Sequence, residues 1–397
     1  MGHSLIEGLA GLLPGPWVFR FGELLGGLAW HIMPQRRNIV MRNLRIVFAG
    51  EKTLAEIRAI ARETFCRSGA NLISAAHSAR LTPDDLKEVI EIENLELLEK
   101  AHATGKGVVL LLAHMGNWEI LSRIVHLFPP GSKTGAFYRP LNNELLDERI
   151  LRRRQADGTR MFSKRDPFHQ VTGFLRDGGI VGVLADQRVG EQGDWVRFFG
   201  KRSRSSPLPG LLARRAKSEV LALSLITMQP GKWKAVLMPV EAPPTTQHCM
   251  SALETAMRAG LIDVFWLQER WRLKIKSRHL TIDDLLGKPG CGCDKPSRIL
   301  LWLVGVAADW ELPPTWQHPD VTYEIALEPG RELPAWLPAS SRCHVVPTGF
   351  DRAALEKFIE SVDQAAALPL DFIVTPCVSK SLTKACKRQA IDIKSLS

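Results

Sequence analysis

"KGVVLLLAHMGNWEILSRIVHLF", Lys106 to Phe128, is the stretch on which the fold turns. Its first half, Lys106 to Ala113, is an unbroken apolar run of strand length, the pattern of a strand buried on both faces. Its second half, Asn117 to Phe128, spaces apolar residues along one face of an amphipathic helix. His114 then falls on a strand-to-helix turn, where Gly116 permits a tight or left-handed backbone and Asn117 is a favourable N-cap. The turn matters for chemistry. On one unbroken helix, at about 100° per residue, His114 and Glu119 would lie on different faces. A turn lets Glu119, in the first helical turn, fold back toward the imidazole. A carboxylate that accepts the proton of one ring nitrogen fixes the tautomer and leaves the other nitrogen free to take a proton, so the pair suits a general base. Open N–H groups at the helix start offer stabilisation to an oxyanion. No serine, cysteine or threonine lies between His114 and Glu119, which points to activation of a substrate hydroxyl or amine without a covalent enzyme intermediate. These residues alone leave a second reading open: a structural histidine, with Glu119 as a first-turn acid favoured by the helix dipole.

Outward from this stretch the pattern alternates. Strands are expected at roughly 89–93, 107–113, 133–139, 158–163 and 180–185, with helices near 95–103, 117–128, 141–155 and 167–177. That order predicts an α/β layered domain with a mainly parallel sheet, whose sites collect at the carboxyl ends of strands. Upstream, Thr53 and Glu56 have capping-box spacing, and Pro83 follows Thr82 as the first residue of another helix. Downstream, Arg270, Arg272, Lys274, Lys276 and Arg278 alternate, which in an extended segment lines one face with charge or guards an edge strand. A Gly/Pro-rich segment follows, and then four further strands with helices at about 351–365 and 379–390. The expected organisation is a helical N-terminal segment at 1–48, a main domain at 49–284, a linker at 285–297 and a small α/β domain at 298–397.

The 397 residues are 45% hydrophobic, enough for substantial cores, and carry a net charge of +10. Such a balance points to an anionic partner: acidic lipid, an acidic carrier protein or nucleic acid. No nucleic-acid-binding motif or set of interleaved stacking aromatics supports the last. The seven cysteines are scattered and lack finger-like spacing, so no metal is expected and the thiols read as reduced. Residues 4–34 are rich in Leu, Gly and Trp but interrupted by Glu7, Arg20 and Glu23, and neither a spanning helix nor a cleaved signal peptide results. With Arg36, Arg37, Arg42 and Arg45 following, the segment reads as helices lying in an anionic membrane surface, or as a hairpin packed on the domain.

At this point the residues resemble a known family. "HMGNWE" is similar to the HxxxxD/E motif as found in the bacterial lipid A biosynthesis acyltransferases, the lauroyl/myristoyl transferase group. "FYRPLNN" (Phe137 to Asn143), "LADQRVG", "RFFG" (Arg197 to Gly200) and "FWLQERW" (Phe265 to Trp271) resemble its later blocks, in order. The resemblance covers about residues 5 to 280. It implies a glycerolphosphate-acyltransferase-like fold with N-terminal membrane-associating helices. It implies transfer of a fatty acyl chain from acyl carrier protein to a hydroxyl of a membrane glycolipid, such as a lipid A precursor, at the cytoplasmic face of the inner membrane and without a cofactor. By the same resemblance His114 is the base and Glu119 its partner, while Asn117, Tyr138, Arg139, Asn142, Asp186, Gln187 and Arg270 bind substrate. Arg139 is the expected phosphate contact, because its planar fork suits phosphate oxygens. A catalytically idle homologue that binds lipid or partner proteins is the alternative. Residues 298–397 more weakly resemble the first half of a heptosyltransferase-type glycosyltransferase, chiefly at Phe372 to Ala390, and imply a docking or stabilising domain.

Overall fold

In a computed structural model the described residues are 13–397, apart from 139, 141–142, 164, 273–280, 289–292, 333, 335, 338–340, 348, 350 and 397. They divide into two compact units: one from residues 13–31, 62–194 and 205–265, the other from residues 32–61, 195–204 and 266–396.

The strands of the first half are β1 (Ile90–Glu93), β2 (Val108–Leu112), β3 (Thr134–Tyr138), β4 (Arg160–Ser163), β5 (Ile180–Leu184), β6 (Asp194–Phe198), β7 (Lys201–Ser205), β8 (Glu219–Gln229) and β9 (Lys232–Pro239). All but β6 and β7, which pair with each other, form one sheet in the order β1-β9-β8-β2-β5-β3-β4. Only the β8–β9 pairing is antiparallel. The apolar run became β2, buried at every position because β5 and β8 flank it in parallel and both faces are covered. Leu112 pairs with Leu184, which sets the carboxyl ends of β2 and β5 side by side.

Three of the four helices expected here are present, at Glu96–Ala103, Glu144–Gln155 and Phe168–Arg176. The fourth is not. Asn117 to Phe128 forms two short 3-10 turns, Trp118–Ser122 and Ile124–Leu127. The β-branched Ile120, Ile124 and Val125 disfavour a longer helix, the Ser122 hydroxyl donates back to the Glu119 carbonyl at 3.0 Å, and Pro129 and Pro130 close the segment.

The N-terminal helix Gly15–Ile32 packs on the helix Leu54–Ser78 through glycines. A Cβ at Gly26 would lie 2.1 Å from the Phe65 carbonyl oxygen, so only glycine admits this approach of the two backbones. The opposite side carries Trp17, Phe21, Leu24 and Leu28 at helical spacing, with Trp17 and Leu24 each 70% exposed. Among the described residues no helix is long and apolar enough to cross a membrane.

In the second unit β10 (Ser297–Trp302), β11 (Val321–Leu327), β12 (Arg342–Val345), β13 (Phe372–Thr375) and β14 (Asp392–Ser395) form a wholly parallel sheet in the order β12-β11-β10-β13-β14. One face packs on the helices Arg352–Gln364 and Lys380–Arg388. The other packs on Trp316 and the short helix Ile282–Leu286, so Leu285 and Leu286, which open the expected linker, belong to this core.

Two of the four N-terminal arginines need a different account. Arg45, on the helix Pro34–Phe48, is 2% exposed; it pairs with Asp363 and donates to the carbonyls of Asp363 and Ala366 at 2.6 and 2.7 Å. Arg42 pairs with the other Asp363 oxygen at 3.1 Å. The reason is Asp363 itself: buried, and holding its carboxyl below the usual range against the cost of burial, it requires both cations. Arg42 and Arg45 are therefore committed inside this unit and not held for headgroups. Arg36 remains exposed, and Arg37 is half-buried. Of the alternating basic residues, Lys274, Lys276 and Arg278 lie outside the described residues. Arg272 pairs with Asp392 and lies in no strand.

Candidate active site

Parallel register builds the site. His114 lies two residues beyond Leu112 and Asp186 two beyond its partner Leu184, so the two side chains emerge at the same height on adjacent strand ends. The loop is shaped at Gly116, whose φ of +56° and close approach to the Leu225 carbonyl, 2.5 Å from an added Cβ, admit only glycine comfortably. The segment 263–265 clamps the loop from the far side. The Gly116 N–H donates to the Asp263 carbonyl at 2.9 Å, and the Phe265 N–H donates to the His114 carbonyl at 2.8 Å.

The imidazole partner is Asp186 and not Glu119. His114 Nδ1 donates to Asp186 Oδ1 at 2.8 Å, and the His114 backbone N–H donates to Oδ2 at 3.1 Å. The Gln187 amide donates to Nε2 at 3.2 Å, which leaves a neutral ring with its proton on Nδ1 and its lone pair on Nε2. Trp118 stacks edge-on against the ring, with centroids 5.3 Å apart. Burial works against the charged ring. The charge and hydrogen bond of Asp186, with a smaller contribution from Glu119, outweigh burial and hold the His114 pKa above its ordinary value, while Arg154 opposes them.

Glu119 faces elsewhere. Both its oxygens accept from one guanidinium: Arg154 Nε donates to Oε2 at 2.9 Å and Arg154 Nη2 to Oε1 at 2.6 Å. The expected fold-back failed because the turn is 3-10 and because Arg154, at the end of the helix Glu144–Gln155, offers a bidentate partner that a neutral imidazole cannot match. Asn117 likewise caps nothing. Its side chain is 1% exposed, and its amide donates to the Ser78 hydroxyl at 3.0 Å, so it fastens the loop to the helix beneath.

An apolar cavity of about 90 Å³ opens beside these groups. Leu110 and Leu112 of β2, Gly182 and Leu184 of β5 and Phe137 of β3 wall it, and Trp118, Glu119 and Arg154 also line it. Tyr138 ends β3, half-buried, while Arg139 and Asn142 lie outside the described residues. Arg270 belongs to the second unit, where it is 4% exposed, donates to the Arg204 carbonyl at 3.0 Å and covers the Phe198 ring. Sequence reasoning missed Trp118 and Arg154 as site residues. Trp118 stood inside the quoted motif; Arg154 stood in a run of three arginines, where nothing marked it from its neighbours.

The site thus brings together a histidine–carboxylate pair and, through Trp118, an apolar cavity. The chain belongs to the bacterial lipid A biosynthesis acyltransferase family, whose sequence profile matches residues 6–273. It is 28% identical over 272 residues to the lipid A biosynthesis palmitoleoyltransferase of Escherichia coli (strain K12), covering 66% of this chain and 87% of that protein. It is 24% identical over 241 residues to the lipid A biosynthesis myristoyltransferase of the same strain, covering 60% and 73%. A phosphatidylinositol mannoside acyltransferase of Mycobacterium tuberculosis (strain ATCC 25618 / H37Rv) is 31% identical over 126 residues, covering 31% and 39%.

Proposed function

We propose that this acyltransferase moves a fatty acyl chain from an acyl-carrier-protein thioester to a hydroxyl of a membrane glycolipid, such as a lipid A precursor, at the cytoplasmic face of the inner membrane. The observation that carries the reading is the His114–Asp186 pair, whose imidazole packs against Trp118, a residue that also lines the apolar cavity. The acceptor hydroxyl displaces the Gln187 amide and gives its proton to Nε2 as its oxygen attacks the thioester carbonyl. Collapse breaks the C–S bond, and the thiolate takes the proton back. Asp186 holds the tautomer and balances the imidazolium. The acyl tail lies in the cavity. Tyr138, Arg139 and Asn142 contact the acceptor, with Arg139 on its phosphate.

The exposed stripe Trp17, Phe21, Leu24 and Leu28 supports a helix lying in the membrane interface, as does the net positive charge that suits anionic lipid and an acidic carrier. The test of the whole reading incubates purified protein with acyl-loaded carrier protein and a lipid A precursor and follows the lipid mass. A rise by one acyl group is expected. Consumption of no thioester, with the protein folded and bound to membrane, sinks the proposal in favour of an idle lipid-binding homologue.

A further inference from the structure

The Glu119–Arg154 pair has no task in the scheme above. Stability does not account for it: about 32% of the Glu119 side chain and 27% of that of Arg154 are exposed, and ion pairs this accessible contribute about 0–1 kcal/mol. Its place is more telling. Both side chains line the apolar cavity, and so does Trp118, which also packs against the His114 ring. With an acyl tail in the cavity and its carbonyl within reach of a hydroxyl on Nε2, that carbonyl lies near Trp118 and the guanidinium. Glu119 takes Nε and Nη2 of Arg154, while Nη1 has no acceptor among the described residues. The bidentate fork fixes the plane of the guanidinium and so the direction in which Nη1 points. Two backbone donors of the loop are already engaged. The Gly116 N–H is bonded to Asp263 and the Met115 N–H to the Ala113 carbonyl, at 2.9 Å each.

Resting on the acyl-transfer reading, we infer that Arg154 stabilises the oxyanion formed at the thioester carbonyl, and that Glu119 is a positioning residue that aims Arg154. In the step, the acceptor oxygen bonds to the carbonyl carbon, the acceptor proton goes to His114 Nε2, and the carbonyl π pair moves onto its oxygen, where Arg154 Nη1–H donates to it. When the carbonyl re-forms, the C–S pair leaves with the sulfur. Nothing is oxidised or reduced. A charged donor placed in advance is strongest where charge develops, and removal of one such donor costs on the order of 10²–10³ in kcat. The charged groups that face the imidazole are Asp186, Glu119 and Arg154, and Asp147 acts on Arg154 from the same helix.

The experiment compares Arg154→Met, Arg154→Lys, Glu119→Gln, the double variant Glu119→Gln/Arg154→Met and Asp186→Asn. Carrier-protein thioester and lipid A precursor are the substrates; kcat, KM and the pH dependence are measured, and thermal melting verifies folding. Arg154→Met is expected to lower kcat about 10²–10³-fold with KM for the thioester within about threefold, and Arg154→Lys to recover part of the loss. Glu119→Gln should lower kcat less, and the double variant should be no slower than Arg154→Met, because Glu119 acts only through Arg154. The acid limb of the profile should move down slightly in Glu119→Gln and further in Asp186→Asn, in the order of their charges on the imidazole. Three results overturn the inference: Arg154→Met turning over within about threefold of the wild type, a loss carried wholly by KM, or a Glu119→Gln limb shift as large as that of Asp186→Asn. If Arg154→Met does not melt cooperatively, Arg154→Lys and Glu119→Gln carry the same comparison. A wild type that transfers no acyl group removes the functional reading itself, whereas a wild type that transfers beside an unimpaired Arg154→Met removes the inference alone.

Discussion

Each of the two sheets holds a histidine against a carboxylate at 2.8 Å: His114 with Asp186 in the first unit, His344 with Glu324 in the second. Distance does not separate them; ownership of the carboxylate does. Glu324 is fully buried and also accepts from Arg298 Nε and Nη2 at 3.1 and 2.6 Å, so its charge is answered by a guanidinium before it reaches the imidazole. Despite the cost of burial, His344 and Arg298 hold its carboxyl below the usual range. Among the described residues Asp186 has no such rival. Its oxygens receive the His114 ring and backbone N–H, and its charge is spent on the imidazole. On the proposed mechanism, the histidine–carboxylate pair that serves as base is the one whose carboxylate has a single client.

The comparison breaks most easily at the two histidines. His114→Ala should reduce transfer on the order of 10²–10⁴-fold, since no neighbour replaces the base. His344→Ala should leave kcat within about twofold, and equal losses in both would erase the distinction drawn here. In the second unit the expected effect falls on stability. Glu324→Gln leaves Arg298 without its buried charge partner and should cost about 3–5 kcal/mol in denaturant unfolding, with turnover of the folded fraction unchanged.

Asp186→Asn sharpens the comparison through pH. The His114 pKa is raised, so transfer by the wild type should climb with pH through a midpoint above 6.5, and the variant midpoint should fall. A group whose folded pKa is raised contributes stability below its unfolded pKa and loses it as pH rises through the folded value. The wild-type advantage over Asp186→Asn in thermal melting should therefore be largest in acid and shrink above that midpoint. An advantage that grows with pH would contradict the assignment. The smallest effect concerns the cavity wall. A Cβ at Gly182 meets Leu112 Cδ1 at 3.1 Å, so Gly182→Ala should shift preference toward shorter acyl donors by severalfold with little loss of total turnover. Competition between two acyl chain lengths in one reaction reads this directly.

The strands around the site were legible because each is a short apolar run of clear period. The carboxyl-end position of His114 followed from them. Its partner did not follow from motif spacing, because a five-residue separation describes the chain and not the register. The information was nonetheless present: parallel neighbours at 107–113 and 180–185 put residues 114 and 186 at matching offsets. The 117–128 helix failed where β-branching, a serine and two prolines acted together, a combination that apolar spacing does not weigh. Arg42 and Arg45 were misread for a long-range reason, since their partner Asp363 lies more than 300 residues away and no local pattern announces it.

The Gln187 amide on Nε2 has a consequence for fidelity. On the proposed mechanism the enzyme holds a bound acyl thioester in the presence of water, and an unguarded base would spend it by hydrolysis. With the lone pair already accepting a proton donor, a lone water exchanges one hydrogen bond for another and gains nothing. A glycolipid hydroxyl arrives with its headgroup contacts and membrane anchorage, and those supply the energy to move the amide aside. On the proposed mechanism the base is thus uncovered by the substrate that should use it, and the acyl chain is kept for lipid.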